Sequence, residues 1–340
     1  MCTENFRLPL ARTGFGGLTR RSLLGAVASP AIHPLLSASG VAQAPANKWL
    51  LGVLTPLPRS APHWAALRDE LRRNGYVEGD NISIVGFDVG PDRLASTAVD
   101  MVAKGVAAIV CGGVAPTQAA RQASTSIPIL TVLDDFVAQG FATTLARPDG
   151  NTTGVSILGT ELDIKRQEVL LGLVPSARRL GILADPASSP ADHLESVQAD
   201  ARRRSLVPSL YRASGRADIA PAIDAAKAAG VEIFNVLASQ MLHFNRAEII
   251  AGMARIGVPA ICQWPEWVAE GAFASYGPRF TSVYRQLATL LIKVLRGRRP
   301  SDIAIEQPDR LELVINAGTA KALGVSIPPS LLARADEVIE

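Results

Sequence analysis

Cys111 and Cys262 each close a short apolar run, "VAAIVCG" (106–112) and "VPAICQW" (258–264), one in each half of the chain. Two opposed thiols can take a proton from one side of a carbon and return it from the other. That is the chemistry of cofactor-independent amino-acid racemases. Such sites set small hydroxyl or amide residues beside their thiols, and "VCGGVAP" and "ICQWPEW" do not. A thiol that closes an apolar strand is more often a packing residue, and both cysteines are read so here.

Other reactive constellations are missing from the sequence. The four histidines, His33, His63, His193 and His243, are scattered, and no pair of cysteines has metal-ligand spacing. The first apolar run is followed by "TPLPRSAP", which lacks the glycines of a dinucleotide turn. No phosphate-cradling G-x-x-x-x-G-K-S/T and no G-x-S-x-G elbow occurs. The expectation is therefore no catalytic residue, no metal and no cofactor.

Recognition is better served. Polar, small and aromatic residues stand just after strand-like runs: Thr55 and Pro56; Gly113, Ala115 and Thr117; Asp135; Asp185, Ser188 and Ser189; Ser239 and Gln240; Trp264 and Glu266; and Tyr276. In open α/β sheets, ligands lie beyond the carboxyl ends of the strands and often at helix N-termini. The N–H groups of 113–117 suit a carboxylate, Asp135 an ammonium, and Trp264 and Tyr276 an apolar or aromatic body. An amino acid or a small aromatic acid fits this set; a sugar would also use stacking aromatics. Each position also has a purely local role open to it. Thr117 and Ser188 could cap helices, and Asp134 or Asp135 could cap the turn at Val137 and Ala138. Asp185-Pro186 could be a turn, and Trp264 and Trp267 could pack at an edge.

The elements that must position these residues alternate. Strands are expected over 48–54, 81–87, 106–112 and 127–133, with helices over 63–75, 91–105 and 116–124. The texture repeats: helices over 160–175, 190–205, 216–230 and 243–257, and strands over 178–185, 206–212, 231–238 and 258–264. Runs of βα units favour parallel sheets with helices on both faces. The fold class is α/β, with two doubly wound parallel-sheet lobes. The turn-rich "LARPDGNTTGVS" (145–156) leads into a crossing between them, "GAFASYGP" (271–278) is a second, and 311–324 adds a strand and helix. The N-terminal lobe is drawn from 47–157 and 279–305, the C-terminal lobe from 158–278 and 306–340.

Ahead of these lobes stands a basic segment. Residues 1–21 carry Arg7, Arg12, Arg20 and Arg21 against Glu4, and 22–46 carry no charge. Basic region, apolar region and small-residue end form the order of an export signal. Pro30 and Pro34 interrupt the apolar part, which therefore falls short of a membrane anchor of roughly 20 residues. "TRRSLL" (19–24) resembles a twin-arginine signal, with Leu23 and Gly25 departing from the usual residues. Cleavage after Ala44 would leave Pro45 first, so the cut is placed after Ala46, giving an exported, periplasmic protein. The whole chain has 34 basic and 31 acidic residues; the signal holds four and one, leaving 30 of each. No net positive field is left to attract nucleic acid.

The stretches "NGYVEGDNISI" (74–84), "LARPDGNTTGVS" (145–156), "WPEWVAEGAFASYGP" (264–278) and "IEQPDRLELVINAGTAKALGVSIP" (305–328) carry a resemblance. Together and in this order they resemble the ABC-transporter substrate-binding family that includes the tryptophan-type binding proteins. The resemblance implies a type I periplasmic binding fold with two lobes, three crossing segments and a small-molecule ligand in the cleft. It also implies a monomer that closes on its ligand and docks on an ABC permease in the inner membrane. A receptor feeding a membrane kinase is the alternative use of the same design. Phe136 stands where the family has proline after the aspartate, which is expected to reshape the cleft wall.

Overall fold

The computed structural model describes residues 48–340; the expected export signal and both candidate cleavage positions lie outside the described residues. The first sheet contains β1 (Trp49–Leu54), β2 (Ile82–Gly86), β3 (Ala108–Gly112), β4 (Ile129–Leu133) and β5 (Thr152–Ser156). Their order is β2-β1-β3-β4-β5, and every pairing is parallel. β3 and β4 are buried along their whole length, which explains why they read as continuous apolar runs rather than alternating ones. The helices α1 (Pro62–Arg73), α2 (Leu94–Ala103) and α3 (Val114–Ala123) connect these strands. α1 starts on a proline, where a missing N–H is harmless, and buries Trp64, Leu67 and Leu71 along one stripe.

The second half builds α4 (Gly159–Leu173), β6 (Arg179–Ala184), α5 (Ala191–Arg203), β7 (Val207–Arg212), α6 (Arg216–Ala228) and β8 (Ile233–Val236). It continues through α7 (Gln240–Phe244), α8 (Arg246–Ile256), β9 (Ala260–Cys262), α9 (Pro265–Ala269) and β10 (Ala274–Gly277). After α10 (Phe280–Leu295) come β11 (Glu312–Asn316), α11 (Ala317–Ala322), α12 (Pro329–Leu332) and β12 (Glu337–Ile339). The second sheet runs β12-β11-β10-β9-β8-β6-β7.

Three features differ from the sequence expectation. The stretch 271–278, read as a crossing, holds β10 within the second sheet, and the crossing comes after it. The pair β10–β11 is antiparallel within an otherwise parallel sheet. β11 enters the sheet from the side where the other lobe sits, so it runs away from the cleft while β10 runs toward it. The helix expected over 243–257 is two helices, split at Asn245, whose side-chain amide turns back to the Met241 carbonyl at 2.8 Å.

The chain passes between the sheets three times: at 156–159, at 277–280 and at 306–312. Leu158, in the first passage, holds a left-handed backbone at φ 55°. After the second, α10 packs on α1, β4 and β5 of the first lobe and buries Val283, Tyr284, Leu287 and Leu291. The returning segment is stitched to β5 by Ser156 N–H to Glu306 O at 2.8 Å and Glu306 N–H to Gly154 O at 3.0 Å. Among the described residues no helix is long and apolar enough to cross a membrane.

Candidate functional site

The carboxyl ends of the two sheets face each other across a cavity of about 450 Å³. The first lobe lines it with Leu57, Gly113, Val114, Ala115, Gln118 and Val132 to Asp134. The second contributes Asp185, Ala187, Ser188, Ser239, Gln240, Met241, His243, Phe244, Gln263 and Trp264. Phe280 and Tyr284, one helical turn apart on α10, complete the wall.

The first-lobe wall is built by the turn from β3 into α3. Gly113 stands at φ 97°, a conformation glycine tolerates and other residues rarely adopt. As at any helix start, the first-turn N–H groups of Val114 and Ala115 have no partner inside the helix. Thr117 is buried beneath them; its hydroxyl donates to the Gly113 carbonyl at 2.6 Å and pairs with the Thr131 hydroxyl at 2.8 Å. Gln240, reaching over from the second lobe, donates its side-chain amide to the Gly112 carbonyl. A Cβ on Gly113 would collide with the Gln240 side chain.

The second-lobe wall is polar on one side. Asp185 accepts hydrogen bonds from the Ser239 hydroxyl at 2.7 Å, the Ser188 hydroxyl at 3.2 Å and the Ala187 N–H at 3.0 Å. Ser239 also caps α7 by accepting from Leu242 N–H at 3.3 Å. On the other side the wall is aromatic. Trp264 and Phe280 have ring centroids 4.4 Å apart, and His243 lies 5.0 Å from Phe280. His243 Nδ1 accepts from the Trp267 indole N–H at 3.0 Å, which leaves the proton of the neutral ring on Nε2. Burial, helped by Arg246, pulls His243 down to about 3, and His63 beside it likewise.

Opposite Asp185 of the second lobe, Asp134 is the acid that the first lobe puts on the cavity wall. Burial and the Asp163 carboxylate push it up to about 7, against the opposing pull of Arg166. Asp163 and Arg166 form a buried pair behind the wall. Asp163 also accepts from Ala238 N–H at 3.1 Å and bonds His193 at 2.8 Å, while Arg166 donates to the Tyr276 carbonyl at 3.2 Å. Gln263 Nε2, on a cavity-lining side chain, is buried without a partner.

Of the residues singled out in the sequence, Gly113, Ala115, Asp185, Ser188, Ser239, Gln240 and Trp264 line the cavity. The others lie around it. Thr55 is buried and accepts from Leu57 N–H at 3.2 Å, so that Leu57, rather than Pro56, reaches the wall. Ser189 is buried in the turn behind Asp185. Asp135 spends Oδ1 on the N–H groups of Val137 at 2.8 Å and Ala138 at 3.0 Å, a local cap. Glu266 accepts from Thr281 N–H at 3.3 Å where the chain returns to the first lobe, and burial pushes its carboxyl up. Tyr276 is half-buried on β10, outside the lining. Phe136 is fully enclosed beside Leu133 and Phe141, so the residue that replaces the family proline fills core, not cleft.

His243, Phe244, Gln263, Phe280 and Tyr284 were not singled out, and at the strand end Asp134-Asp135 the anchor was placed on Asp135 rather than Asp134. For Phe280 and Tyr284 the signal was present, an i, i+4 aromatic pair opening an amphipathic helix. Neither thiol lines the interlobe cavity; both are buried, and burial raises each, Cys262 to about 12. Among the described residues no group of three or more His, Cys, Asp or Glu could hold a metal ion.

A family model described as ABC transporter substrate binding protein matches residues 63–339. The chain is 26% identical over 259 residues to a tyrosine-binding protein of Clostridioides difficile (strain R20291), covering 74% of each. Among solved structures it is similar to an ABC domain from Streptococcus pneumonia in complex with L-Trp, with TM-score 0.78, 21% identity, and 86% of this chain and 100% of that one covered. It is also similar to a ligand-free, open substrate-binding protein from Clostridium difficile, with TM-score 0.64, 20% identity, and 86% and 99% covered.

Proposed function

The chain belongs to the family of ABC transporter substrate binding proteins, and on that premise we propose that it captures an aromatic amino acid between its lobes. It then works as an exported monomer that closes on the ligand and delivers it to an inner-membrane permease. The observation that carries the ligand class is the pairing, in one cavity, of an acid without a protein cation and an aromatic wall. Asp134 receives the ligand ammonium. The first-turn amides of α3 receive its carboxylate, where the helix dipole favours negative charge. Trp264, Phe280 and Phe244 receive the ring. At about 450 Å³ the cavity falls in the range of about 300–1,000 Å³ found for small-molecule sites. The relatives support the same class: one is a tyrosine-binding protein and another was solved with L-Trp.

Calorimetric titration with L-tryptophan, L-tyrosine, L-phenylalanine, L-alanine and a sugar tests this. Binding confined to the aromatic amino acids is expected, and Asp134→Asn should weaken it by about 2–5 kcal/mol through loss of a buried charge pair. Equal binding of the sugar, or no loss in the variant, would overturn the assignment.

A further inference from the structure

Asp134 comes from the first lobe and Asp163 from the second, and the closed arrangement sets both against Ala238. Asp163 Oδ1 holds the Ala238 N–H at 3.1 Å. Asp134 Oδ1 lies 2.8 Å from the point where a Cβ on Gly159 would stand, and the Ala238 methyl lies 3.1 Å from the same point. The nearest cation, Arg166, is already committed to Asp163 and to the carbonyls of Gly159 and Tyr276. Asp135, on the same turn, adds a further like charge, and His243 on the opposite wall is neutral. Gln263 faces Asp134 as an uncharged amide. Closing the lobes without a ligand therefore brings two carboxylates together with the one nearby arginine already paired to Asp163.

We propose that capture of an amino acid at this cleft expels a proton from Asp134, so that the receptor holds its ligand at neutral and alkaline pH and lets it go as the medium acidifies. This rests on the reading of Asp134 as the ammonium site. In the empty closed cleft the carboxyl keeps its proton, because a second anion beside Asp163 would have only the uncharged Gln263 amide to receive a hydrogen bond from and no cation of its own. The incoming ammonium supplies that partner. The O–H bond of Asp134 breaks, the proton leaves to solvent, and the carboxylate accepts an N–H from the ligand. The ammonium and carboxylate of an amino acid keep their charges across this range, so the protein group sets the dependence. The elevation of Asp134 to about 7 agrees with a proton held at the pH where the exchange matters.

The probes are L-tryptophan and L-tyrosine, titrated calorimetrically from pH 5.5 to 8.5 in buffers of different ionisation enthalpy. About 0.9 proton should be released per ligand at pH 6 and about 0.1 at pH 8, with affinity falling about tenfold per pH unit well below 7. Asp134→Asn should bind weakly with no proton release, and Asp135→Asn should still release the proton, with its pH dependence moved slightly to lower pH by the loss of a like charge. Circular dichroism checks that both variants fold; should Asp134→Asn not fold, proton release by the wild type remains the deciding measurement. Tight binding of either probe with no proton release, and an affinity flat from pH 5.5 to 8.5, would overturn the inference while leaving the receptor reading intact. No binding of either probe at pH 8 would remove the receptor reading itself and this inference with it.

Discussion

Gln240, at the start of a helix in the second lobe, donates its side-chain amide to the carbonyl of Gly112, at the end of β3 in the first. The bond closes directly over the start of α3. It depends on glycine at 113, because any side chain there would occupy the space of the Gln240 carboxamide. Backbone geometry adds to the requirement, since φ 97° strains any residue with a Cβ. Gly113→Ala is therefore expected to hold the lobes apart. Small-angle scattering with saturating ligand should show a radius of gyration larger than that of the wild type. Gln240→Ala removes the latch but not the fit, and should weaken ligand affinity by about 0.5–1.5 kcal/mol, the worth of one ordinary hydrogen bond.

Asp135 and its neighbour divide two tasks. Asp135 caps the turn at Val137 and Ala138, and asparagine caps nearly as well as aspartate. Asp135→Asn should change the unfolding free energy by under about 0.5 kcal/mol, and Asp135→Ala should lower it by about 1 kcal/mol. Ligand affinity should hold in both. Urea denaturation and titration of the same samples give the two readouts, and a binding loss in Asp135→Asn would return Asp135 to the site.

The thiols should be silent. Cys111 and Cys262 are enclosed, and burial holds both in the thiol form, which neither attacks nor abstracts a proton. In the native protein Cys111 and Cys262 should resist a thiol-specific reagent for hours, and both should react after denaturation. The α-hydrogen of a bound amino acid should not exchange with deuterated solvent. Exchange that disappears in Cys111→Ala or Cys262→Ala would revive a two-thiol racemase.

The alternation of strand and helix was legible because burial on both faces makes β3 and β4 almost wholly apolar, with Thr131 the one hydroxyl, and glycine or proline punctuates the ends. Strand direction was not. β11 has the composition of any buried strand, and its antiparallel course follows from where the crossing segment enters, which no local pattern encodes. The site was legible as a set of strand ends, and less so residue by residue. Asp134 and Asp135 are adjacent and chemically alike; which of them faces the cavity is decided by the Val137 and Ala138 amides that capture the second. His243 looked like one more isolated histidine because its partner, Trp267, is 24 residues away in the chain.

The same buried groups set how stability follows pH. His63 and His243 are held near 3 in the folded protein and return to about 6.5 on unfolding, so below pH 6.5 the unfolded chain takes up two protons that the native state refuses. Asp134 works in the opposite sense. Its folded value, raised to about 7, means the native state holds a proton that the unfolded chain does not hold until near its ordinary value of 3.8. Around pH 5 the unfolded state therefore binds a net excess of about one proton, and the unfolding free energy should fall by about 1.4 kcal/mol for each unit of acidification. The two histidines of the unfolded chain are still half protonated at pH 6.5, so their uptake and the Asp134 proton balance only near pH 7, above which stability falls by under about 0.1 kcal/mol. The ligand-free protein should thus gain stability up to about pH 7 and then level off. Asp134→Asn removes the opposing proton, so its slope near pH 5 should steepen to about 2.7 kcal/mol per unit and it should still be gaining stability at pH 7. His243→Gln should instead flatten the acid limb, because one histidine and Asp134 then cancel. Urea denaturation at half-unit steps from pH 4.5 to 8 measures all three profiles, and a wild-type curve that does not rise from pH 5 and level off near pH 7 would show that these groups do not govern it.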